Sequence, residues 1–365
     1  MGIPSGKPFH ARHRGRPDRA DDRGQAPRGG CRRSAAGLIA ALCLLARPAA
    51  AESLRLATWD AGLSRRGPGL LLADIETGAP KVAAAVALIA GVRPDVLLLT
   101  GFDWDHDGMA LAAFAAALKA AGLAYPHRYA PRPNAGMQSG LDLDGNGRTG
   151  EPRDAQGYGR FTGQGGMALL SRLQLRAEAA RDFSAVLWAD LPGNLIDGAG
   201  LSPGARAVQR LSSTGHWDVP LVLPSGRDLH LLAFAATPPL FDGPEDRNGR
   251  RNRDETAFWL RYLDGALPVP PPLAPFAILG DADIDPVAGE GRRDALVALL
   301  ADPRLQDLRP AGAKGTATAL YGAPLRLDYI LPSADLTVTG AGVIWPETGE
   351  TPPRRALVWV DISLP

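Results

Sequence analysis

The stretch "LLLTGFDWDHDG", residues 97–108, joins a short apolar run to a cluster of acidic side chains. A run of this length that ends in turn-forming residues is typical of a buried β-strand. Loops that follow such strands often carry binding or catalytic side chains. The residue at the strand tip, however, is Gly101, which has no side chain. The stretch therefore predicts the tip of a buried strand and raises the question whether any chemistry takes place there.

Further apolar, β-rich runs predict more strands along the chain, and four stretches with helical periodicity lie between them. The predicted strands cover residues 54–58, 96–100, 167–170, 219–223, 229–234, 276–279, 327–331 and 357–360. The predicted helices cover residues 81–90, 109–121, 254–263 and 292–300. Because the strands come mostly in runs with helices interspersed, this order favours a mixed α/β sandwich over a strictly alternating, doubly wound sheet.

The N-terminal segment has the pattern of an export signal. Residues 1–33 are polar and rich in arginine, and an apolar run at 34–45 follows, closed by "ARPAAAES". This pattern predicts a disordered leader and a signal peptide cleaved after Ala51, and hence a periplasmic or extracellular protein. An ordinary buried helix is the alternative, which Arg32 and Arg33 before the run and Pro48 after it disfavour. We therefore expect one domain at 52–365, without a transmembrane segment, as a monomer.

Charge and cysteine content restrict the chemistry of that domain. Both cysteines, Cys31 and Cys43, lie in the leader, which excludes thiolate metal sites and cysteine nucleophiles from residues 52–365. Of the 40 basic and 39 acidic side chains of the chain, 10 and 3 lie in residues 1–51, which leaves 30 and 36 and a net charge of −6. A negative balance gives no general attraction for nucleic acid, so such a partner would need a local basic patch.

The segment 139–166 is long, rich in glycine and almost free of aliphatic residues. Asp142, Asp144 and Asn146 match the start of a calcium-binding loop, but Arg153 stands where the closing bidentate glutamate belongs. The alternative is a cluster of turns formed by Asp, Asn and Gly, and we expect this alternative to hold.

Six motifs in order resemble the endonuclease/exonuclease/phosphatase superfamily, the metal-dependent phosphoesterases related to DNase I and exonuclease III. The motifs are "LRLATWDAGLSRRGPG", "PDVLLLTGFDWD", "GQGGMALLSR", "LHLLAFAATPPLFDGPEDRNGRRNRDE", "FAILGDADIDP" and "LRLDYILP", which together span about residues 53–361. The resemblance implies a DNase I-like sandwich of two mixed β-sheets packed face to face and flanked by helices. It also implies Mg- or Mn-dependent phosphoester hydrolysis, in which a metal and an aspartate generate the attacking water.

Two positions of the family's catalytic set are retained in this chain. Asp281 matches the aspartate of the Gly-Asp-x-Asn strand end, and Asp328 matches the late Asp-Tyr strand. In the family the late-strand aspartate pairs with a histidine of the final strand.

Five positions of the same set are substituted. Asp60 and Asp283 each stand where the family has an Asn, and Gly101 stands where it has the metal-binding Glu. Ala235 stands where the family has a His, and Arg355 is the nearest counterpart of the final-strand His. Hard cations need oxygen ligands, and Gly101 offers none. We therefore expect absent or strongly impaired activity and weak or absent metal binding, with Asp60 and Asp283 as the remaining metal candidates.

The resemblance leaves alternatives open for the function. One is an exported, non-catalytic binding module for a phosphorylated small molecule or a phosphodiester, and another is a structural or calcium-stabilised surface protein. With four carboxylates and no metal at the cleft, we expect the Arg355 guanidinium within about 4 Å of Asp328 or Asp281.

Other polar and aromatic residues are weaker candidates. We expect Asp103, Asp105, His106 and Asp107 to form a solvated acidic turn rather than a ligand set, and His216 to be a hydrogen-bonded structural histidine rather than a phosphate contact. We expect Arg65 and Arg66 to be solvated rather than part of a phosphate-binding rim. We expect Trp59, Trp188 and Trp217 to lie in the core rather than on a base-stacking surface.

Overall fold

Two mixed β-sheets pack face to face in the computed structural model, which describes residues 53–273, 275–347 and 353–364. The predicted leader and signal peptide lie outside these residues. The strands are β1 (Ser53–Leu63), β2 (Val96–Phe102), β3 (His127–Tyr129), β4 (Gly166–Ser171), β5 (Arg181–Asp182), β6 (Gly215–Val222), β7 (Asp228–Ala235), β8 (Phe276–Asp281), β9 (Ala319–Tyr321), β10 (Ala323–Leu325), β11 (Asp328–Pro332), β12 (Val338–Ile344) and β13 (Leu357–Ser363).

Helices lie on the outer faces of both sheets. The α-helices are α1 (Leu70–Glu76), α2 (Pro80–Val92), α3 (Met109–Ala120), α4 (Pro203–Val208), α5 (Arg247–Leu263) and α6 (Asp294–Leu300), with short 3-10 turns at Pro152–Asp154, Ala177–Ala179, Trp188–Asp190 and Ile196–Gly198. No single helix in the described ranges has the length and apolar character to cross a membrane. Helices α1 and α2, bent by 70° at the break between them, reach that length and composition only when taken together.

Each of the two large sheets contains one parallel pair of strands in an otherwise antiparallel arrangement, and β9 and β10 form a separate antiparallel pair. The six-stranded sheet has the order β12-β13-β1-β2-β4-β3, and the five-stranded sheet has the order β11-β8-β7-β6-β5. The parallel pairs are β1 with β2 and β7 with β8. The mixed sheets predicted from the sequence are confirmed.

The period-2 alternation of strand side chains builds three apolar layers. On β1, Leu54 and Leu56 lie in the core between the sheets, whereas Ala57 and Trp59 lie under the helices that cover the six-stranded sheet. A third layer, which contains Trp259 of α5, covers the outer face of the five-stranded sheet. These layers fix which face of the sandwich each strand end points to.

Several boundaries differ from the sequence prediction. Helix α5 begins at Arg247 instead of 254, because its first turns carry polar side chains that are held by hydrogen bonds and have no apolar period. Arg251, for example, is buried and donates to the carbonyl oxygens of Leu211 and Gln156. Helices α1 and α4, the short strands β3, β5, β9 and β10, and the seven-residue strand β12 were not predicted.

Candidate active site

The carboxylates predicted for the site lie at one end of the sandwich, on the ends of strands. Asp60 and Asp281 continue the inward-facing alternation of β1 and β8, after Leu56 and Leu279 respectively. Asp328 begins β11 and pairs directly with Asp281 across the antiparallel ladder. The packing of the two sheets therefore directs these side chains into the same space.

Arg355 lies among these carboxylates. Its Nη1 donates to Asp281 Oδ1 at 3.1 Å and to Asp328 Oδ2 at 3.3 Å, and its Nη2 donates to Asp283 Oδ1 at 2.8 Å. Its Nε lies 3.9 Å from Asp60 Oδ2. The predicted contact of Arg355 with Asp328 and Asp281 is confirmed, and the guanidinium bridges all four acids.

A hairpin that the sequence analysis missed holds Arg355 in place. Strands β9 and β10 turn at Gly322, and the Tyr321 hydroxyl accepts a hydrogen bond from Arg355 Nε at 3.2 Å. The Arg355 guanidinium carbon lies 5.4 Å from the centre of the Tyr321 ring, within the range of a cation–π contact. On the other side, Trp59 Nε1 donates to the Arg355 carbonyl oxygen at 3.4 Å. The sequence signal for the hairpin is the tyrosine-glycine pair between two short β-forming runs.

Gly101 has a left-handed backbone that suits glycine and few other residues. Its φ is +61°, and it lies where the pairing of β1 with β2 shifts register between Asp60 and Leu63. A Cβ added at Gly101 would lie 2.5 Å from Asp60 Oδ1. The Asp60 carboxylate therefore occupies the space beside Gly101, and a larger residue at 101 would require a shift of that side chain.

The other two substituted positions also lie at this end of the sandwich. Ala235 ends β7 directly beside Asp281 of the parallel strand β8, so a histidine side chain is absent at that point of the edge. Asp283 has a φ of +50°, a conformation that Asp and Asn tolerate better than most residues, and its amide donates to Asp281 Oδ1 at 2.8 Å. The structure thus brings together all seven predicted site positions.

Burial changes the protonation of the cluster. Removal from water raises the pKa of Asp328 to about 6 and raises the pKa values of Asp281 and Asp283, against the lowering effect of the Arg355 charge. Burial alone would lower the pKa of Arg355, but the surrounding carboxylates raise it, so the guanidinium stays charged. Asp328 Oδ1 is buried without a hydrogen-bond partner among the described residues, which favours the protonated form of this carboxyl.

The acidic turn after β2 is only partly solvated, which corrects the expectation for Asp103. The Asp103 side chain is buried and accepts hydrogen bonds from the amides of Arg65 and Gly165. Asp105 accepts from the amides of Met109 and Ala110 at the start of α3. His106 and Asp107 are exposed, as expected. These residues fix the start of α3 and the loop before it.

The remaining weak candidates have structural positions. His216 is fully buried between the Ser212 hydroxyl and the Glu255 carbonyl, and burial lowers its pKa to about 4. Arg66 is exposed, whereas Arg65 is mostly buried and pairs with Asp74 at 2.5 Å, which corrects the expectation of a solvated pair. The three tryptophans named above are buried in the core: Trp59, Trp188 and Trp217.

The long loop is held by its own turns. The Asp142 carboxylate accepts hydrogen bonds from the amides of Gly145, Asn146 and Gly147. Ligand atoms of Asp142, Asp144 and Asp154 lie within 4.8 Å of one another, so Asp154 joins two of the predicted loop residues in one acidic group. The predicted turn cluster is present, and the expectation that calcium is not needed stays a prediction.

A sandwich of two mixed sheets whose acidic strand ends meet at one edge defines the DNase I-like class of α/β proteins. The sequence profile of the Endonuclease/Exonuclease/phosphatase family matches residues 57–352. The chain therefore belongs to this family, whose members generally use divalent metals. No curated protein sequence matches the chain.

Solved structures agree on the fold. The endonuclease/exonuclease/phosphatase from Beutenbergia cavernae is 18% identical, with a TM-score of 0.55 over 86% of this chain and 72% of that chain. A family protein from Leptotrichia buccalis is 15% identical, with a TM-score of 0.50 over 85% of this chain and 100% of that chain. A family protein from Bacteroides thetaiotaomicron is 11% identical, with a TM-score of 0.50 over 85% of this chain and 97% of that chain. At these identities the likeness shows the fold alone.

Proposed function

We propose that this chain is a catalytically silent member of the family, in which an ion-pair cluster replaces the metal centre. The observation that carries the proposal is the Arg355 guanidinium between Asp281, Asp283 and Asp328, at 2.8–3.3 Å from their oxygens. Mg²⁺ or Mn²⁺ bound there would have to displace a buried cation from three carboxylates, and Gly101 adds no ligand. The residues present do not fit a hard divalent cation.

The cluster also lacks a side chain placed to transfer protons in the family's reaction. Hydrolysis of a phosphodiester needs a group that exchanges protons near neutral pH. Arg355 remains protonated at any ordinary pH, and Ala235 has no titratable group. Asp328 has a pKa of about 6, but one of its oxygens is engaged by Arg355 and the other is shielded from solvent.

The test is an assay of p-nitrophenol release from bis(p-nitrophenyl) phosphate with Mg or Mn. We expect no turnover by the wild type above the level of an Asp281→Ala variant, which controls for contaminating phosphatase. Metal-dependent turnover that disappears in Asp281→Ala contradicts the proposal. A variant that combines Asp60→Asn, Gly101→Glu, Ala235→His, Asp283→Asn and Arg355→His measures how much of the loss is due to these five positions.

A binding module is the second candidate, favoured by a cavity of about 770 Å³ that reaches Ala236 and Thr237, the residues after Ala235. The excess of carboxylates around Arg355 disfavours a phosphoryl group at the cluster itself, because like charges repel in a site of low dielectric.

We also propose export, from the apolar run at 34–45 and the small residues before Ala51. Cell fractionation of the full chain, with an Ala49→Arg/Ala51→Arg variant as control, tests that proposal.

A further inference from the structure

The cavity beside the silent centre is bounded by three segments of chain: the long loop, the entry to β6, and the loop between β7 and α5. Its volume is about 770 Å³, enough for a small organic molecule. Its lining mixes aromatic rings, carboxylates and guanidinium groups, among them Tyr158, Phe241, Asp242, Glu245, Arg153 and Arg247.

Phe241 is held with its ring in solvent. The side chain is 76% exposed, and the φ of +69° is a strained value for a bulky residue. The backbone on either side is fixed, since Arg153 Nη2 donates to the Phe241 carbonyl at 3.3 Å and Asn248 Nδ2 donates to the Leu240 carbonyl at 2.6 Å. An exposed ring on a strained backbone that neighbouring hydrogen bonds hold in place points to a contact with something outside the chain.

A second exposed ring lies on the same cavity. Tyr158 is 61% exposed and comes from the long loop, on a different segment from Phe241. Together the two side chains add exposed aromatic surface to a cavity lining that also carries charged groups.

The charges of the lining cancel. Three arginines and three carboxylates border the cavity: Arg153, Arg247, Arg251, Asp144, Asp242 and Glu245. Glu245 is ionised, since hydrogen bonds from its own amide and that of Gly243, with Arg247 and Arg153 nearby, lower its pKa. Asp242 accepts a hydrogen bond from the Asn248 amide at 2.5 Å, which leaves lone pairs free on its carboxylate. A lining of this kind offers both donors and acceptors and no net attraction for an anion.

We propose that this cavity binds a neutral saccharide, with the face of a sugar ring on Phe241 and Tyr158 and its hydroxyl groups on the charged lining. Each sugar hydroxyl donates and accepts hydrogen bonds, which matches carboxylates beside guanidinium groups. The less polar face of the sugar ring covers an aromatic surface that otherwise lies in water. A phosphorylated ligand matches this lining less well because the charges of the cavity sum to zero. The inference goes beyond the proposed loss of catalysis and does not depend on it.

The experiment is saturation-transfer NMR of the whole protein with a panel of neutral monosaccharides and disaccharides, and with nucleosides and inorganic phosphate as comparison ligands. We expect transfer to the ring protons of at least one saccharide, and at least a tenfold weaker affinity in Phe241→Ala. Phe241→Tyr keeps a ring and should retain binding. Leu273→Ala removes another exposed apolar side chain, 90% exposed and outside the cavity lining, and should bind as the wild type does.

Three outcomes overturn the inference. They are an absence of transfer to every saccharide, an affinity that Phe241→Ala and Tyr158→Ala both leave unchanged, and preferential binding of a nucleoside or of phosphate. Because Phe241 is mostly exposed, its alanine variant should keep the thermal midpoint of the wild type, so a loss of binding in a folded variant is assigned to the ring. The readout is binding, so residual hydrolysis in the assay above would leave this inference standing.

Discussion

The Arg355 side chain changes what the strand ends of this sandwich can do. An imidazole can take and release a proton near neutral pH, whereas a guanidinium cannot. The guanidinium can instead bridge several carboxylates at once, and here it contacts Asp281, Asp283 and Asp328. Arg355 therefore cannot exchange a proton near neutral pH, and it stabilises a group of buried acids that would repel one another.

Arg355→Met should destabilise the protein strongly at neutral pH. Removal of the guanidinium leaves buried carboxylates without a counter-charge, a change that typically costs about 3–5 kcal/mol. The free energy of unfolding from urea titration at pH 7 measures this loss. The neighbouring Arg354→Met is the matched control, since Arg354 is exposed and should change stability by less than about 1 kcal/mol. An Arg355→Met variant as stable as Arg354→Met would show that the cluster does not need its cation.

Asp328 should make stability fall as the pH rises. Burial raises its pKa to about 6, above the ordinary value of an aspartate, so the folded state holds a proton that the unfolded chain has released. This contribution to stability is fully present below about pH 4 and is lost as the pH rises through about 6. The difference in unfolding free energy between the wild type and Asp328→Asn should change by about 2–3 kcal/mol between pH 4 and 7, with the wild type losing stability as the pH rises. A constant difference between the two proteins across this range would contradict the assignment.

At the scale of elements, the register shift between β1 and β2 determines which residues fit at position 101. It puts Gly101 in the left-handed region and turns the position of its missing Cβ toward Asp60. Restoration of a glutamate at 101 therefore meets two obstacles, backbone strain and the Asp60 carboxylate. The substitution at 60 and the substitution at 101 have to be considered together.

Gly101→Ala tests this reading of the strand end. The left-handed backbone should cost about 1–2 kcal/mol for any residue with a Cβ, and the contact at 2.5 Å from Asp60 Oδ1 should add to it. Gly108→Ala is the matched control, since Gly108 has a φ of +66° with no atom within 4 Å of the added Cβ. We expect Gly101→Ala to be the more destabilised of the two, and the excess to vanish in the double variant with Asp60→Ala. Equal losses in the two single variants would mean that Asp60 moves aside freely.

Sequence patterns predicted the elements with continuous apolar runs or clear helical periodicity, and missed α1, β12 and the short strands. The apolar runs of β2, β4, β7 and β8 are recognisable because their burial on both faces leaves few polar residues. The contact of Arg355 with its carboxylates was predictable from the family resemblance, which implies that the four acids converge and that Arg355 lies beside Asp328. The hairpin with Tyr321 and the cavity with Phe241 were not, because short strands and loop aromatics carry no periodicity and depend on which segments meet in space.

At the scale of the whole molecule, the cluster of Arg355 and its carboxylates lies at one edge, and three apolar layers of buried residues build the sandwich. Leu56, Leu279 and Ile330 still pack between the sheets just below Asp60, Asp281 and Asp328. Stability of the sandwich depends mainly on those layers, since burial of apolar surface is the dominant favourable term in folding. Polar side chains at the strand ends can therefore change without loss of the fold.

The charge of the whole domain predicts how it meets nucleic acid. Residues 52–365 carry 30 basic and 36 acidic side chains, and the edge with Arg355 adds buried carboxylates rather than a basic groove. Non-specific binding of DNA depends on neutralised phosphates and weakens steeply with salt. We expect no change in the fluorescence anisotropy of a labelled duplex with up to about 10 μM protein at 0.15 M salt, and at most weak binding at 0.05 M. Micromolar binding at 0.15 M salt that falls steeply as salt is added would reveal a basic surface that the net charge conceals.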